Sequence, residues 1–297
     1  MKQNTKFLIL FLTCALLCSC EKMSLKPDDD EPAKTEDGST IVLNLSQFEQ
    51  IPFEDDYVVT RASTAISDLC SIINVAVFNG DEKVKTVTQK SDDADFGKIS
   101  VSLTDGTYRI VIIAHNGSGS ATITSPEKVT FANNKLTDTF SYCGDITVSG
   151  SGQYDITMKR VVAMFRLIIN DNMPENVAQM KFYYTGGSST LNPLTGYGCV
   201  NSRQTETRTV DASMTGKASQ FEVFTFPHAE SDEIKMTITA LTSASAEVCE
   251  REFEKVPVKR NTITQYKGDF FNSSASASGS SFSLTTGDSW SQDNYTY

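Results

Sequence analysis

The chain has 297 residues, 39% hydrophobic and 9% aromatic, which is enough to bury sizeable cores and excludes wholesale disorder. Its formal net charge of −11 argues against nucleic acid and against electrostatic docking on anionic lipid as partners. No stretch after the first twenty residues approaches the roughly eighteen uninterrupted apolar residues of a membrane-spanning helix.

The N-terminus opens with Lys2 and Lys6 and an apolar run from Phe7 to Leu17, too short to span a bilayer but suited to the h-region of a secretory signal peptide. It ends Leu16-Leu17-Cys18-Ser19-Cys20, which resembles the bacterial lipobox. Residues 1–19 are therefore expected to be a lipoprotein signal peptide, with Cys20 the lipid attachment site. Cys18 is the weaker candidate, because Leu16 and Leu17 stand where small residues are expected. Two or three acyl chains anchor far more firmly than one, so the exported chain is expected to sit on a membrane without crossing it. Residues 20–39 are polar, with Asp28-Asp29-Asp30-Glu31-Pro32 at their centre, and read as an extended acidic tether. Acidic residues just behind the lipidated cysteine also resemble the surface-export signal of Bacteroidetes-type lipoproteins.

The remainder reads as strand after strand. Ile41, Leu43 and Leu45 alternate with polar or outward residues, followed by an acidic loop over Phe48–Tyr57. A short helix is expected near Thr64–Leu69, then strands over Ile72–Phe78, Lys83–Thr88 (after the turn Asn79-Gly80) and Ile99–Leu103. Asp105-Gly106 signals a hairpin into Tyr108–Ala114, apolar on both faces and so a candidate central strand. Shorter strands follow near Lys128–Phe131, Thr139–Cys143 and Asp145–Val148. Alternation from Tyr154 to Ile169 is long for one strand, which places a domain boundary near Met158–Arg160. Beyond it come Met180–Tyr184, a loop over Asn192–Gly198, Phe221–Phe226, Ile234–Ala240, Phe253–Val258, Thr262–Phe271 and Phe282–Leu284, the last behind a Ser/Ala/Gly linker over 273–281. Many short strands at this spacing predict an all-β fold of two tandem β-sandwich domains, residues 40–158 and 159–297.

Little in the sequence points to catalysis. His115 and His228 are the only histidines and read as loop or surface residues. No H-E-x-x-H, G-x-S-x-G, Walker or EF-hand spacing occurs, and no C-x-x-C, so no catalytic residue, metal site or cofactor is expected. Cys70, Cys143, Cys199 and Cys249 allow three disulfide pairings in an exported protein, but their apolar strand-like settings favour mostly free, buried thiols. A carbohydrate-binding alternative would need a platform of exposed rings, and its candidates Tyr183, Tyr184, Tyr197 and Trp290 are not grouped in the sequence as such a platform requires.

The leader, lipobox, acidic tether, first strand and Thr60-Arg61-Ala62 stand in the order seen in Bacteroidetes-type fimbrial subunits, the fimbrillin family of the type V pilus. Lys159–Arg166 resembles the first strand of that family's second domain, and Pro257-Val258-Lys259-Arg260-Asn261 resembles its Pro-x-Lys-Arg-Asn stretch. Leu103-Thr104-Asp105-Gly106-Thr107-Tyr108 is similar to the hairpin of transthyretin-like sandwiches. The overall resemblance is closest to the FimB-type branch, which includes anchor and accessory subunits as well as pilins.

The resemblance implies a structural protein of the outer-membrane surface and the fimbrium. Its partners would be other fimbrial subunits, an Arg-specific protease and, through lipid, the outer membrane. It implies cleavage between Arg61 and Ala62, loss of the first strand with the lipid, and head-to-tail assembly in which a strand from the 273–297 tail of one subunit fills the emptied groove of the next. Anchor-type members of the family keep their lipid and are not cut.

Overall fold

The computed structural model describes residues 38–48, 65–272 and 283–288, the last as backbone alone. The first strands are β1 (Ser39–Phe48), β2 (Ile72–Asn79), β3 (Glu82–Lys90), β4 (Lys98–Leu103) and β5 (Gly106–His115), with a single helical turn α1 (Ile66–Leu69) ahead of β2. They continue through β6 (Thr122–Ser125), β7 (Lys128–Thr130), β8 (Thr139–Val148) and β9 (Gly152–Arg160). A seven-stranded sheet runs β3-β2-β5-β8-β9-β1-β4 and folds over a core of Ile41, Leu43, Leu45, Val75, Val77, Ile99, Val101, Ile110, Ile112, Phe140, Ile156 and Met158.

The chain leaves strand at Val161-Val162 and continues as β10 (Ala163–Ile169), β11 (Gln179–Thr185), β12 (Thr190–Asn192), β13 (Tyr197–Gly198) and β14 (Arg203–Thr209). Then follow β15 (Ser219–Thr225), β16 (Asp232–Leu241), β17 (Glu247–Val258), β18 (Thr262–Gly268) and β19 (Ser283–Asp288). Sheets β15-β10-β18-β19 and β14-β11-β16-β17 enclose a second core of Phe165, Leu167, Phe182, Phe221, Met236, Ile238, Phe253 and Tyr266. The architecture is all-β sandwich, as the alternation predicts.

The two sets of strands are tied together. Sheet β13-β12-β7-β6 takes two strands from each, and a third core joins Phe78, Val111 and Ile113 to Val162, Met164, Leu191, Phe226 and Ile263. This explains why β5 is apolar on both faces: Ile110 and Ile112 enter the first core, Val111 and Ile113 the third. At the break, the buried Arg160 guanidinium donates to both carboxylate oxygens of Asp138 at 2.7 and 2.8 Å and to Asn261 Oδ1 at 3.1 Å.

Several local expectations need correction. The residues assigned to two strands, Thr139–Cys143 and Asp145–Val148, form one strand, because Gly144 stays in the ladder opposite Ile110. The Leu103–Tyr108 segment is not a hairpin: β4 pairs only with β1, β5 pairs with β2 and β8, and the chain turns a corner that Tyr108 Oη closes by donating to Thr104 O at 3.0 Å. The expected loop at Asn192–Gly198 holds a small hairpin of β12 and β13. No helix among the described residues is long and apolar enough to cross a membrane.

Candidate functional site

The site that the sequence singles out is the place of β1. Ile41, Leu43 and Leu45 are buried at 0%, 0% and 2% exposure, while Thr40, Ser46 and Gln47 face solvent. Fully burying three such side chains stabilises by about 6 kcal/mol, an upper estimate because the unfolded chain already hides some apolar area. That is comparable to the whole stability of an ordinary domain, about 5–15 kcal/mol.

The backbone of β1 matters as much. It pairs antiparallel with β4 from Ser39↔Leu103 to Asn44↔Lys98, and parallel with β9 from Ile41↔Gly152 to Phe48↔Met158, with a bulge between Leu45 and Gln47. Side chains reinforce the seam with β9: Asn44 Nδ2 donates to Asp155 Oδ1 at 3.1 Å and Thr157 Oγ1 to Gln47 Oε1 at 3.3 Å. Phe48 packs edge-on against Phe140 at 4.9 Å. Among the described residues strand β4 has no other ladder partner, and β9 meets β8 only at Phe140↔Arg160 and Ser141↔Lys159. Without an occupant in this slot, β4 and most of β9 therefore lose their sheet. Unpaired buried backbone groups are costly enough that a replacement strand would bind strongly.

At the other end of the chain, β19 adds to the edge of its sheet, antiparallel to β18 from Thr262↔Asp288 to Lys267↔Ser283. It has one ladder where β1 has two. The root of the segment before it is clamped: the buried Asp171 carboxylate accepts from the backbone N–H groups of Phe270, Phe271 and Asn272 at 2.9, 2.7 and 2.8 Å. Cys20, Arg61, Ala62 and Trp290 lie outside the described residues. The 49–64 segment that carries Arg61 follows directly on β1.

The ring platform that the carbohydrate-binding alternative would need does not form from the described candidates. Tyr184 is 1% exposed, with Oη within hydrogen-bond distance of Gln204 Oε1 (2.7 Å) and Phe224 O (2.9 Å), because it occupies an inward position of β11. Tyr183 points to the opposite face, and the half-buried Tyr197 ring lies under the Arg260 guanidinium at 5.1 Å. His115 also departs from expectation. It closes β5, is 1% exposed, packs edge-on against Phe131, and lies 3.3 Å through Nε2 from Asn74 Oδ1, while Nδ1 accepts from Gly117 N at 3.0 Å. Burial pushes its pKa down to about 4. His228 is a half-buried loop residue, as expected.

The four cysteines among the described residues are free. Only Cys70 is fully buried, and burial, with a smaller contribution from Asp138, pushes its thiol up to about 12. Cys143 and Cys249 are half-buried and Cys199 is exposed, so the thiols are free but less buried than their strand-like settings suggest. Among the described residues no group of three or more His, Cys, Asp or Glu side chains is placed to hold a metal ion.

The fold places the chain in the class of all-β sandwich proteins, with β1 one strand in from the edge of its seven-stranded sheet. Within it, the profile of a family of unknown function, DUF6562, matches residues 37–295, and the chain belongs to that family. No curated protein matches the chain. Solved structures do share its fold. A candidate polysaccharide-binding protein (DUF1812) from Bacteroides thetaiotaomicron is 9% identical with a TM-score of 0.51, covering 87% of this chain and 98% of its own. A candidate adhesin from Bacteroides ovatus is 10% identical with a TM-score of 0.50, covering 87% and 96%. A second candidate adhesin, from Bacteroides thetaiotaomicron, is 9% identical with a TM-score of 0.50, covering 86% and 98%.

Proposed function

We propose that this protein is a structural subunit of a cell-surface fimbria, without catalytic activity, exported as a lipoprotein through Cys20 and assembled by strand exchange. The observation that carries the reading is the slot between β4 and β9. A whole sheet layer depends on one N-terminal strand, and the connection behind that strand holds Arg61, the only Lys or Arg between Lys34 and Lys83. Cleavage between Arg61 and Ala62 by an Arg-specific protease would separate β1 and the lipid from the body. A strand from the 273–297 tail of a neighbouring subunit would then refill the slot by β-augmentation, its main chain pairing with β4 and β9 and alternate side chains replacing Ile41, Leu43 and Leu45. Because the donor of one copy fills the acceptor of the next, the contact is head-to-tail and open-ended, which builds a filament. The fold shared with candidate adhesins of Bacteroides supports a role at the outer-membrane surface.

The test is to treat the purified precursor with a trypsin-like protease, map the new N-terminus and run the product in mild SDS without boiling. Cleavage at Arg61 followed by a ladder of oligomers supports a pilin. A subunit resistant at Arg61 that remains membrane-bound would instead be an anchor. If the cut chain stays monomeric or unfolds, strand exchange is wrong for this protein.

A further inference from the structure

Strand β1 fills its slot with four inward side chains, and the fourth differs in kind from the other three. Ile41 and Leu43 stand opposite Val101 and Ile99 of β4, and Leu45 opposite Ile156 of β9. Those neighbours are aliphatic, so any strand with apolar residues at alternate positions satisfies them. Strict alternation would then turn Phe48 outward, with Val42, Asn44 and Ser46. The bulge between Leu45 and Gln47 adds one residue and reverses the phase. Gln47 now pairs with the exposed Thr157, and Phe48 with the buried Met158. Phe48 therefore faces inward, seven residues after Ile41.

At this end of the slot the neighbours are aromatic and charged. The half-buried Phe48 ring packs edge-on against Phe140 of β8 across the core, with centroids 4.9 Å apart. Phe140 is fully buried, and the Arg160 guanidinium lies 4.6 Å from its ring centroid. Arg160 is held in turn by Asp138 and by Asn261, which stands between β17 and β18. The Phe140 ring is thus fixed in place before any strand arrives. An edge-on ring pair stabilises beyond the area it buries, and an aliphatic side chain at the same position lacks that gain. We propose that this fourth position selects the incoming strand: the slot takes a strand of a neighbouring subunit that seats an aromatic side chain against Phe140. The assignment rests on the strand-exchange reading and adds to it the residue by which the partner is recognised. The 273–297 tail carries rings at Phe282, Trp290, Tyr295 and Tyr297, which allows another copy of this chain as that partner.

The test is competition between strands. The chain is cleaved behind Arg61 in the presence of a fluorescent peptide spanning Ser39–Phe48, and release is followed after adding excess unlabelled peptide. A Phe48→Tyr peptide is expected to leave within about twofold of the wild-type rate, Phe48→Leu about fivefold faster and Phe48→Ala about thirtyfold faster. A peptide lacking Ser46 keeps the ring but turns it outward, and should leave as fast as Phe48→Ala. Leu43→Ala controls for the slot itself. If it leaves much faster than wild type while Phe48→Leu and Phe48→Ala do not, the aromatic rule is overturned and strand exchange stands. Equal release of every peptide, or no retention of the wild-type peptide, overturns both. In the uncut chain, Phe48→Ala is expected to lower the urea midpoint by about 0.7 M, Phe48→Leu by about 0.3 M, and Phe48→Tyr to leave it unchanged. Midpoints for Phe48→Leu and Phe48→Ala equal to wild type overturn the rule even where the protease does not cut at Arg61.

Discussion

Leu43→Ala probes the slot more sharply than any other single change. Leu43 is fully buried at the middle of β1, between Ile99 of β4 on one side and Tyr154 of β9 on the other. Truncating it loses the transfer energy of the removed carbons and leaves a cavity held open by two flanking strands, so the expected cost is about 3 kcal/mol. Val42, one residue earlier, is half-buried on the opposite face, and Val42→Ala should cost under about 1 kcal/mol. With a urea dependence of about 3 kcal/mol per molar, Leu43→Ala should lower the unfolding midpoint by about 1 M and Val42→Ala by a third of that or less. Equal and small shifts for the two variants would refute a tightly packed inward face on β1, and with it the reasoning that an emptied slot demands a new occupant.

His115 gives a pH signature. The unfolded chain takes up its proton near the ordinary 6.5 and the folded chain only near 4, so this contribution is complete above about pH 6.5 and is lost as pH falls through that window. By pH 5 the loss amounts to about 2 kcal/mol, and His115→Gln should reduce the fall in unfolding free energy between pH 7.5 and 5, read from urea denaturation, by that much; parallel curves would contradict it. A thiol reagent at pH 8 should label Cys199 in the native chain and spare Cys70 until urea is added, read by peptide mass mapping. Asp138→Ala removes the carboxylate that takes two bonds from the buried Arg160 guanidinium and should cost about 3 kcal/mol in chemical denaturation.

Where burial followed apolar alternation, the sequence was readable. Ile41, Leu43 and Leu45, and likewise Ile234, Met236, Ile238 and Ala240, are all inward positions of their strands. Strand β14, Arg203-Gln204-Thr205-Glu206-Thr207-Arg208-Thr209, was missed because its inward positions are polar. Gln204 and Glu206 are buried through hydrogen bonds with Tyr184 and Arg208, and hydrophobic periodicity carries no trace of that. The third core was equally hidden. Phe131, Val161, Val162 and Phe226 lie in connections, and only the tertiary fold brings them together. The position of β1 beside β9 in parallel pairing could not be read either, since alternation fixes which face is buried but not which strand is the neighbour. His115 departs from its expected loop or surface setting for a related reason: a polar tip gives no sign of whether its partner will be solvent or, as here, the chain itself.

The central claim is that the β1 slot is refilled by another strand once β1 is cut away. The most direct measurement is to cleave the chain behind Arg61 in the presence and absence of excess synthetic peptide spanning Ser39–Phe48, and to compare oligomers in mild SDS. The account predicts a ladder without peptide, and with it a folded monomer carrying the peptide in stoichiometric amount. A ladder indifferent to the peptide, or a monomer in both cases, would contradict it.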